Sequence, residues 1–79
     1  MFLLDDKTKV EATYKDDKPF IFYIERRYGW STRDICVGLW DDKWYGDVIE
    51  YGVQRVLDND EIEQVLKFLK EERGYDVDF

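Results

Sequence analysis

Apolar and polar residues alternate along much of the first fifty residues, with the period of two that half-buried strands show. Near the start, Val10, Ala12 and Tyr14 fall on one side of the chain, and Glu11 and Thr13 fall on the other. Later runs are rich in β-branched and aromatic residues, which also favour strands. The pattern predicts four strands, at residues 8–14, 20–27, 34–40 and 44–51. Short apolar pieces at 53–57 and 1–4 predict brief additional pairing.

Short polar breaks separate these runs, and the tripeptide Asp-Asp-Lys occupies two of them, at 16–18 and 41–43. It also occurs at 5–7. Aspartate favours turns because its carboxylate bonds nearby backbone, and Pro19 fixes φ directly after the first turn. The breaks therefore predict tight connections between antiparallel neighbours. A further break, at residues 28–32, leads into the third strand.

After residue 57 the apolar period changes from two to that of a helix. Asp58 and Glu61 have the spacing of a capping box, and Leu57 and Ile62 have the spacing of a hydrophobic staple. Gly74 is typical of the position just past a helix end. The pattern predicts one helix over residues 59–73, with an apolar stripe at Ile62, Val65, Leu66 and Leu69 and Phe68 on its flank.

Strands first and one helix last is the order of an α+β protein. We predict a four- to five-stranded antiparallel β-meander with one C-terminal α-helix packed on one face, as a single domain over residues 1–79. Seventy-nine residues are close to the lower limit for a core without disulfides or metals, and aromatic residues make up 18% of the chain.

The residue inventory argues against an enzyme. The chain has one cysteine, Cys36, one serine, Ser31, and no histidine, so a nucleophile would lack the usual base. The Asp-Asp pairs lie in turns, where solvent keeps both carboxylates ionised. We expect no catalytic residues, no metal site and no cofactor, and Cys36 is interpreted as a small core residue.

The formal net charge is −7. Residues 1–57 hold 9 basic and 11 acidic residues, whereas residues 58–79 hold 3 basic and 8 acidic residues. Proteins that bind a phosphate backbone usually present a basic stripe. The charge therefore disfavours direct nucleic-acid binding and favours a basic protein partner, although acidity also serves solubility. No apolar run is long enough for a membrane span or a signal peptide, so we expect a cytoplasmic protein.

One helix can cover only one face of such a sheet. Phe20, Phe22 and Ile24, with Ile35, Val37 and Leu39, are the expected floor for the helix. The opposite face is then rich in aromatic and acidic residues, unless the sheet curls and buries them. Its members are Tyr23, Glu25, Cys36 and Trp40, with either Tyr45 and Asp47 or Trp44 and Glu50, depending on register.

Alternate turns of a meander lie at the same end of its sheet, so the two Asp-Asp turns should meet. We predict a partner-binding patch of Trp40, Asp41, Asp42 and Trp44, supported by Asp16 and Asp17. Tryptophan dominates interface hot spots, and carboxylates pair with Arg or Lys of a partner. The alternative, purely structural interpretation is that the two tryptophans pair across the hairpin and only stabilise the sheet. An alternative patch at the other end comprises Arg26, Arg27, Trp30 and Arg33.

These features predict a small acidic, non-catalytic inhibitor that binds a basic, nucleic-acid-handling surface of another protein. In size, acidity and compact α+β character the chain is similar in type to phage-encoded counter-defence proteins, such as anti-CRISPRs and anti-restriction DNA mimics. This resemblance is to a type of protein in general, and no sequence motif supports it. The alternatives are a homodimer or other homo-oligomeric assembly subunit, and a toxin-immunity protein.

Overall fold

The computed structural model describes residues 2–79, which form five strands followed by one helix. The elements are β1 (Lys9–Lys15), β2 (Lys18–Tyr28), β3 (Ser31–Trp40), β4 (Lys43–Glu50), β5 (Val53–Val56) and α1 (Asn59–Glu71). The strands pair antiparallel in the order β1-β2-β3-β4-β5. The predicted α+β meander with one C-terminal helix is confirmed, and β5 is the brief edge strand expected at 53–57.

The connections are tighter than the sequence indicated. The break at 28–32 contains only a two-residue turn, because Tyr28 already pairs with Ser31. Gly29 has a φ of 59°, which allows this tight reversal. Residues 2–4 form no strand, and Met1 lies outside the described residues. The N-terminal segment instead places Phe2 in the core.

The core lies between one face of the sheet and the helix. Apolar side chains from β2, β3 and β4 meet Val65, Leu66, Phe68 and Leu69 of α1. Gly46 of β4 faces this layer, where an added Cβ would lie 2.7 Å from Val37 Cγ1 and 3.0 Å from Leu57 Cδ1. Glycine is required here because a Cβ has no room between β3 and Leu57, the residue that leads into the helix.

The helix begins with the predicted capping box. The Glu61 N–H donates to Asp58 Oδ1 at 2.8 Å, and the Asp58 N–H donates to Glu61 Oε1 at 3.1 Å. The helix ends at Glu71, two residues before the predicted end. Gly74 follows with a φ of 72°, and the Tyr75 N–H returns to the Leu69 carbonyl at 3.0 Å.

Within residues 2–79, no helix combines the length and the apolar composition needed to cross a bilayer.

Candidate functional site

The two Asp-Asp turns have the same strained backbone. Both central residues have positive φ, at 53° and 66° for Asp16 and Asp17 and at 53° and 62° for Asp41 and Asp42. Positive φ at both central positions is the signature of a type I′ hairpin turn, whose twist matches that of the flanking strands. Aspartate tolerates this region better than most residues because its short side chain bonds local backbone.

The structure brings the two turns together at one end of the sheet, as the topology predicts. Asp16, Asp41 and Asp42 line one groove of about 690 Å³. Asp17 has its place in the first turn but is not part of the lining. The groove is named the acidic groove below, and its lining residues are Lys15, Asp16, Lys18, Pro19, Phe20, Leu39, Trp40, Asp41, Asp42, Trp44, Asp76 and Asp78.

The two tryptophans of the predicted patch have different environments. Trp40 is 76% exposed at the mouth of the acidic groove, whereas Trp44 is only 8% exposed and belongs to the core. Trp44 packs beside Phe22, with ring centroids 6.0 Å apart, and its indole N–H donates to the Asp78 carbonyl at 2.9 Å. Trp44 therefore forms the floor of the groove, and only Trp40 offers exposed aromatic area to a partner.

The C-terminal tail completes the groove, which the sequence interpretation missed. Val77 is buried, and it holds Asp76 and Asp78 on the opposite, exposed side of the tail. Lys18 Nζ lies 3.3 Å from Asp78 Oδ2 and 3.8 Å from Asp76 Oδ2. The only sequence feature that indicates this tail is a single valine between two aspartates, in the acidic last quarter of the chain. An alternation of three residues is too short to predict that the tail packs against the core.

The groove carries an excess of negative charge. Five aspartates and two lysines line it, which gives a net charge of −3. A hydrogen bond to Asp78, with the charge of Asp76 nearby, raises the pKa of Lys18, so this lysine stays protonated. Among residues 2–79, no three Asp, Glu or Cys side chains converge in a way that could hold a metal ion. The carboxylates lie beside an apolar and aromatic floor, and two of them, Asp76 and Asp78, share Lys18.

The alternative patch is not a free basic cluster. The Arg26 guanidinium donates to both carboxylate oxygens of Asp5, each at 2.9 Å. Arg33 donates to Glu50 Oε2 at 2.9 Å and to the Tyr28 hydroxyl at 2.8 Å. Acidic residues outside the hairpin therefore pair with two of the three arginines of this patch. Arg27 and Trp30 are exposed at this end, and Trp30 is the most exposed aromatic residue described.

The face of the sheet opposite the helix is uncovered. Cys36 pairs with Asp47 and Gly38 pairs with Tyr45, so the register puts Tyr45 and Asp47 on this face and Trp44 on the other. Tyr23 and Tyr45 are about half exposed. The sheet does not curl to bury them. Cys36 lies on this open face and is exposed, so its interpretation as a core residue is wrong.

Comparison with protein-family models, with curated proteins and with solved structures found no match to this chain.

Proposed function

We propose that the protein is a non-catalytic inhibitor that binds a basic segment of another protein in its acidic groove. The observation that carries this proposal is the convergence of five aspartates and the exposed Trp40 on one concave surface. Three separate parts of the chain supply those aspartates, namely the two hairpin turns and the C-terminal tail. A solubility role alone gives no reason for them to meet around an aromatic floor.

The groove suits an arginine- or lysine-bearing partner. A guanidinium group can form paired hydrogen bonds with a carboxylate and can also stack on an aromatic face. Trp40 offers such a face, and Asp41 and Asp42 follow it directly in the chain. Tryptophan is the strongest cation–π acceptor among the side chains. The aromatic ring would supply buried area, and the carboxylates would supply charge complementarity and fast association.

The sharper form of the proposal concerns the target. Proteins that bind nucleic acid present basic, exposed surfaces. An acidic protein that covers such a surface would exclude DNA or RNA from it. This mode of action, in the host cytoplasm, is that of phage-type counter-defence proteins such as anti-CRISPRs and anti-restriction proteins, and the proposal extends to that role.

The test is affinity capture of the tagged chain from bacterial lysate, with captured proteins identified by mass spectrometry. We compare the native chain with Asp41→Asn/Asp42→Asn, because asparagine tolerates positive φ and removes only the charge. Glu71→Gln/Glu72→Gln is the matched control. It removes the same charge from exposed residues outside the groove.

The proposal predicts stoichiometric capture of a nucleic-acid-binding protein by the native chain and the control, and a loss of at least about tenfold in affinity with the Asn pair. A short DNA duplex or RNA should then compete with the chain for the purified target. Equal capture by all three chains would move the contact away from the groove. Capture that nucleic acid does not compete for would leave a groove-binding partner but refute the exclusion mechanism.

Trp40→Ala tests the aromatic half of the groove. Because Trp40 is 76% exposed, its removal should leave the free energy of unfolding within about 0.5 kcal/mol of the native value. Affinity for the captured target should still fall about tenfold or more. Native affinity in this variant would show that the carboxylates act without the tryptophan.

A further inference from the structure

The open face of the sheet carries negative charge at its centre, outside the acidic groove. The strand register places its side chains in three central rows: Lys9, Glu25, Asp34, Ile49 and Gln54; Glu11, Tyr23, Cys36, Asp47 and Val56; and Thr13, Ile21, Gly38 and Tyr45. These rows hold one basic and four acidic residues, which gives a net charge of −3. Arg27 and Lys43 lie at the two ends of the face and bring the total to −1. The negative charge is therefore concentrated in the middle of the sheet.

The four central carboxylates form no ion pair with any other residue of the described chain, 2–79. The ion pairs of this part of the chain use other acidic residues, namely Asp5, Glu50, Glu61, Asp76 and Asp78. Glu25 and Asp34 are direct cross-strand partners, and like charges in that position destabilise a sheet. One carboxylate oxygen of Asp34 is also buried without a hydrogen-bond partner among the described residues. The fold itself therefore gains nothing from this group of charges.

Tyr23 lies in the middle of the charged group. It pairs with Cys36 in the central row and is 43% exposed. A hydrogen bond to Asp34, with smaller effects of burial and of the charges on Glu25 and Glu11, raises the pKa of the Tyr23 hydroxyl. Three carboxylates from β1, β2 and β3 thus lie close enough to act on one exposed tyrosine.

Elsewhere in the sheet, the same molecule shows what a tyrosine with carboxylates binds. The guanidinium groups of Arg26 and Arg33 lie 4.9 and 5.2 Å from the ring centroid of Tyr28. Each also donates to a carboxylate at 2.9 Å, Arg26 to Asp5 and Arg33 to Glu50. Arginine suits this arrangement because its planar group can stack on a ring and donate paired hydrogen bonds to a carboxylate.

From this match in chemistry we infer that the open face binds an arginine side chain of a partner protein, over Tyr23 and beside its carboxylates. The central rows contain the tyrosine and the acidic residues but no arginine, so the guanidinium has to come from another chain. A lysine would meet the charge, but it offers no planar group and no fork of donors. Trp40, which pairs with Lys43 at the end of the face, also lines the acidic groove. The two surfaces therefore adjoin, although the open face does not depend on the groove.

Binding of a synthetic oligoarginine peptide tests the chemistry, with an oligolysine peptide of the same length for comparison. The variant Glu11→Gln/Glu25→Gln removes two carboxylates beside Tyr23, and Glu71→Gln/Glu72→Gln removes the same charge from exposed positions at the helix end. We expect the native chain and this control to prefer oligoarginine by at least about fivefold, and the open-face variant to lose about fivefold or more of that affinity. Equal affinity for the two peptides, or equal binding by the variant and the control, would overturn the inference.

Alkylation of Cys36 by iodoacetamide locates the bound peptide, because this exposed thiol lies directly opposite Tyr23. We expect saturating oligoarginine to slow the reaction of Cys36 at least about tenfold. The control chain Cys36→Ser/Lys67→Cys, whose single thiol is exposed on the helix, should react at an unchanged rate. A nearby positive charge favours the reactive thiolate, so a slower reaction reports that the peptide covers the thiol.

The same measurement on Asp41→Asn/Asp42→Asn separates the open face from the acidic groove. We expect protection of Cys36 to persist in this variant, because its carboxylates lie outside the central rows. Complete loss of protection here, an unprotected Cys36 in the native chain, or equal protection of the helix thiol would each overturn the inference. Peptide binding that the Asn pair alone removes would at the same time leave the groove proposal in place.

Discussion

At the scale of single residues, four aspartates occupy backbone positions where glycine has the lower conformational energy. Asp16, Asp17, Asp41 and Asp42 all have positive φ. A residue with a Cβ in the left-handed region costs about 1 kcal/mol relative to its preferred conformations. Two-residue turns with this geometry usually place glycine at the second position. The chain keeps a carboxylate there in both hairpins, which is the pattern expected when charge is retained at the expense of stability.

Replacing the second aspartate of either turn with glycine should therefore stabilise the fold. We expect Asp17→Gly and Asp42→Gly each to raise the free energy of unfolding by about 0.5–1 kcal/mol, because relief of left-handed strain outweighs the flexibility that glycine adds. Denaturant unfolding measures both changes. The two turns control for each other, since they share backbone geometry, and a loss of stability in either would show that its carboxylate stabilises the turn by more than the strain costs.

A second effect at the residue scale is the difference in space around two glycines on neighbouring strands, Gly46 and Gly38. An added Cβ on Gly46 would lie 2.7 Å from both the Cys36 carbonyl oxygen and Val37 Cγ1, whereas on Gly38 it would lie 3.7 Å from its nearest atoms. We expect Gly46→Ala to destabilise the protein by about 2–3 kcal/mol through overpacking. Gly38→Ala, the matched control, should be neutral or slightly stabilising. Thermal unfolding of the two variants side by side distinguishes them, and equal midpoints would contradict the crowding around Gly46.

At the scale of elements, the start of α1 is tied to the edge strand by an ion pair. Arg55 of β5 donates to both carboxylate oxygens of Glu61, at 2.7 and 2.6 Å. This hydrogen bonding to Arg55, together with the Asp58 N–H, lowers the pKa of Glu61 from 4.5 to about 2. The ionised carboxylate is the stabilising form, so its contribution is fully present above pH 4.5 and is lost as the pH falls towards 2.

Arg55→Met should remove most of this pH dependence. We expect the pKa of Glu61 to rise towards 4.5, and the free energy of unfolding at pH 7 to fall by about 1 kcal/mol or less, because the half-exposed arginine is screened by solvent. The difference between native and variant should shrink between pH 4.5 and pH 2. Carboxyl titration by NMR and denaturant unfolding at several pH values measure the two quantities. A constant difference across this range would assign the effect to the arginine stem and not to the charge.

The elements themselves were predictable from sequence because their signals are periodic and local. The strand alternation and the capping box of Asp58 and Glu61 each involve neighbours in the chain, and both are confirmed. Which face holds Trp44 was not predictable, because register across the 41–42 turn decides between Trp44 and Tyr45, and a shift of one residue exchanges the faces. The pairing of Arg26 with Asp5 was not predictable either, since 21 residues separate them and no local pattern links them.

At the scale of the whole molecule, residues near both ends of the described chain pack into the core. Phe2 and Val77 are buried, although neither belongs to a helix or strand. Arg73, just after the helix, donates to the Asp5 carbonyl at 3.0 Å and so holds the N-terminal segment against the helix end. A small sheet with one helix has little core of its own, and these irregular segments add buried area that periodicity does not reveal. The acidic groove depends on the same arrangement, because the tail that carries Val77 also carries Asp76 and Asp78.

Two variants of the tail should separate its structural role from its charge. Val77→Ala removes a buried side chain, and we expect it to lower the free energy of unfolding by about 1–2.5 kcal/mol. Asp76→Asn/Asp78→Asn keeps Val77 and the backbone carbonyl that accepts the Trp44 indole N–H. Because these aspartates are exposed, the Asn pair should change stability by less than about 0.5 kcal/mol. It should nevertheless weaken capture of a basic partner, since it removes two of the five groove carboxylates. Denaturant unfolding and affinity capture of both variants provide the comparison.

An Asn pair that destabilises as much as Val77→Ala would mean that the Lys18 ion pairs hold the tail in place. An Asn pair that keeps full affinity would confine the binding role to the hairpin turns.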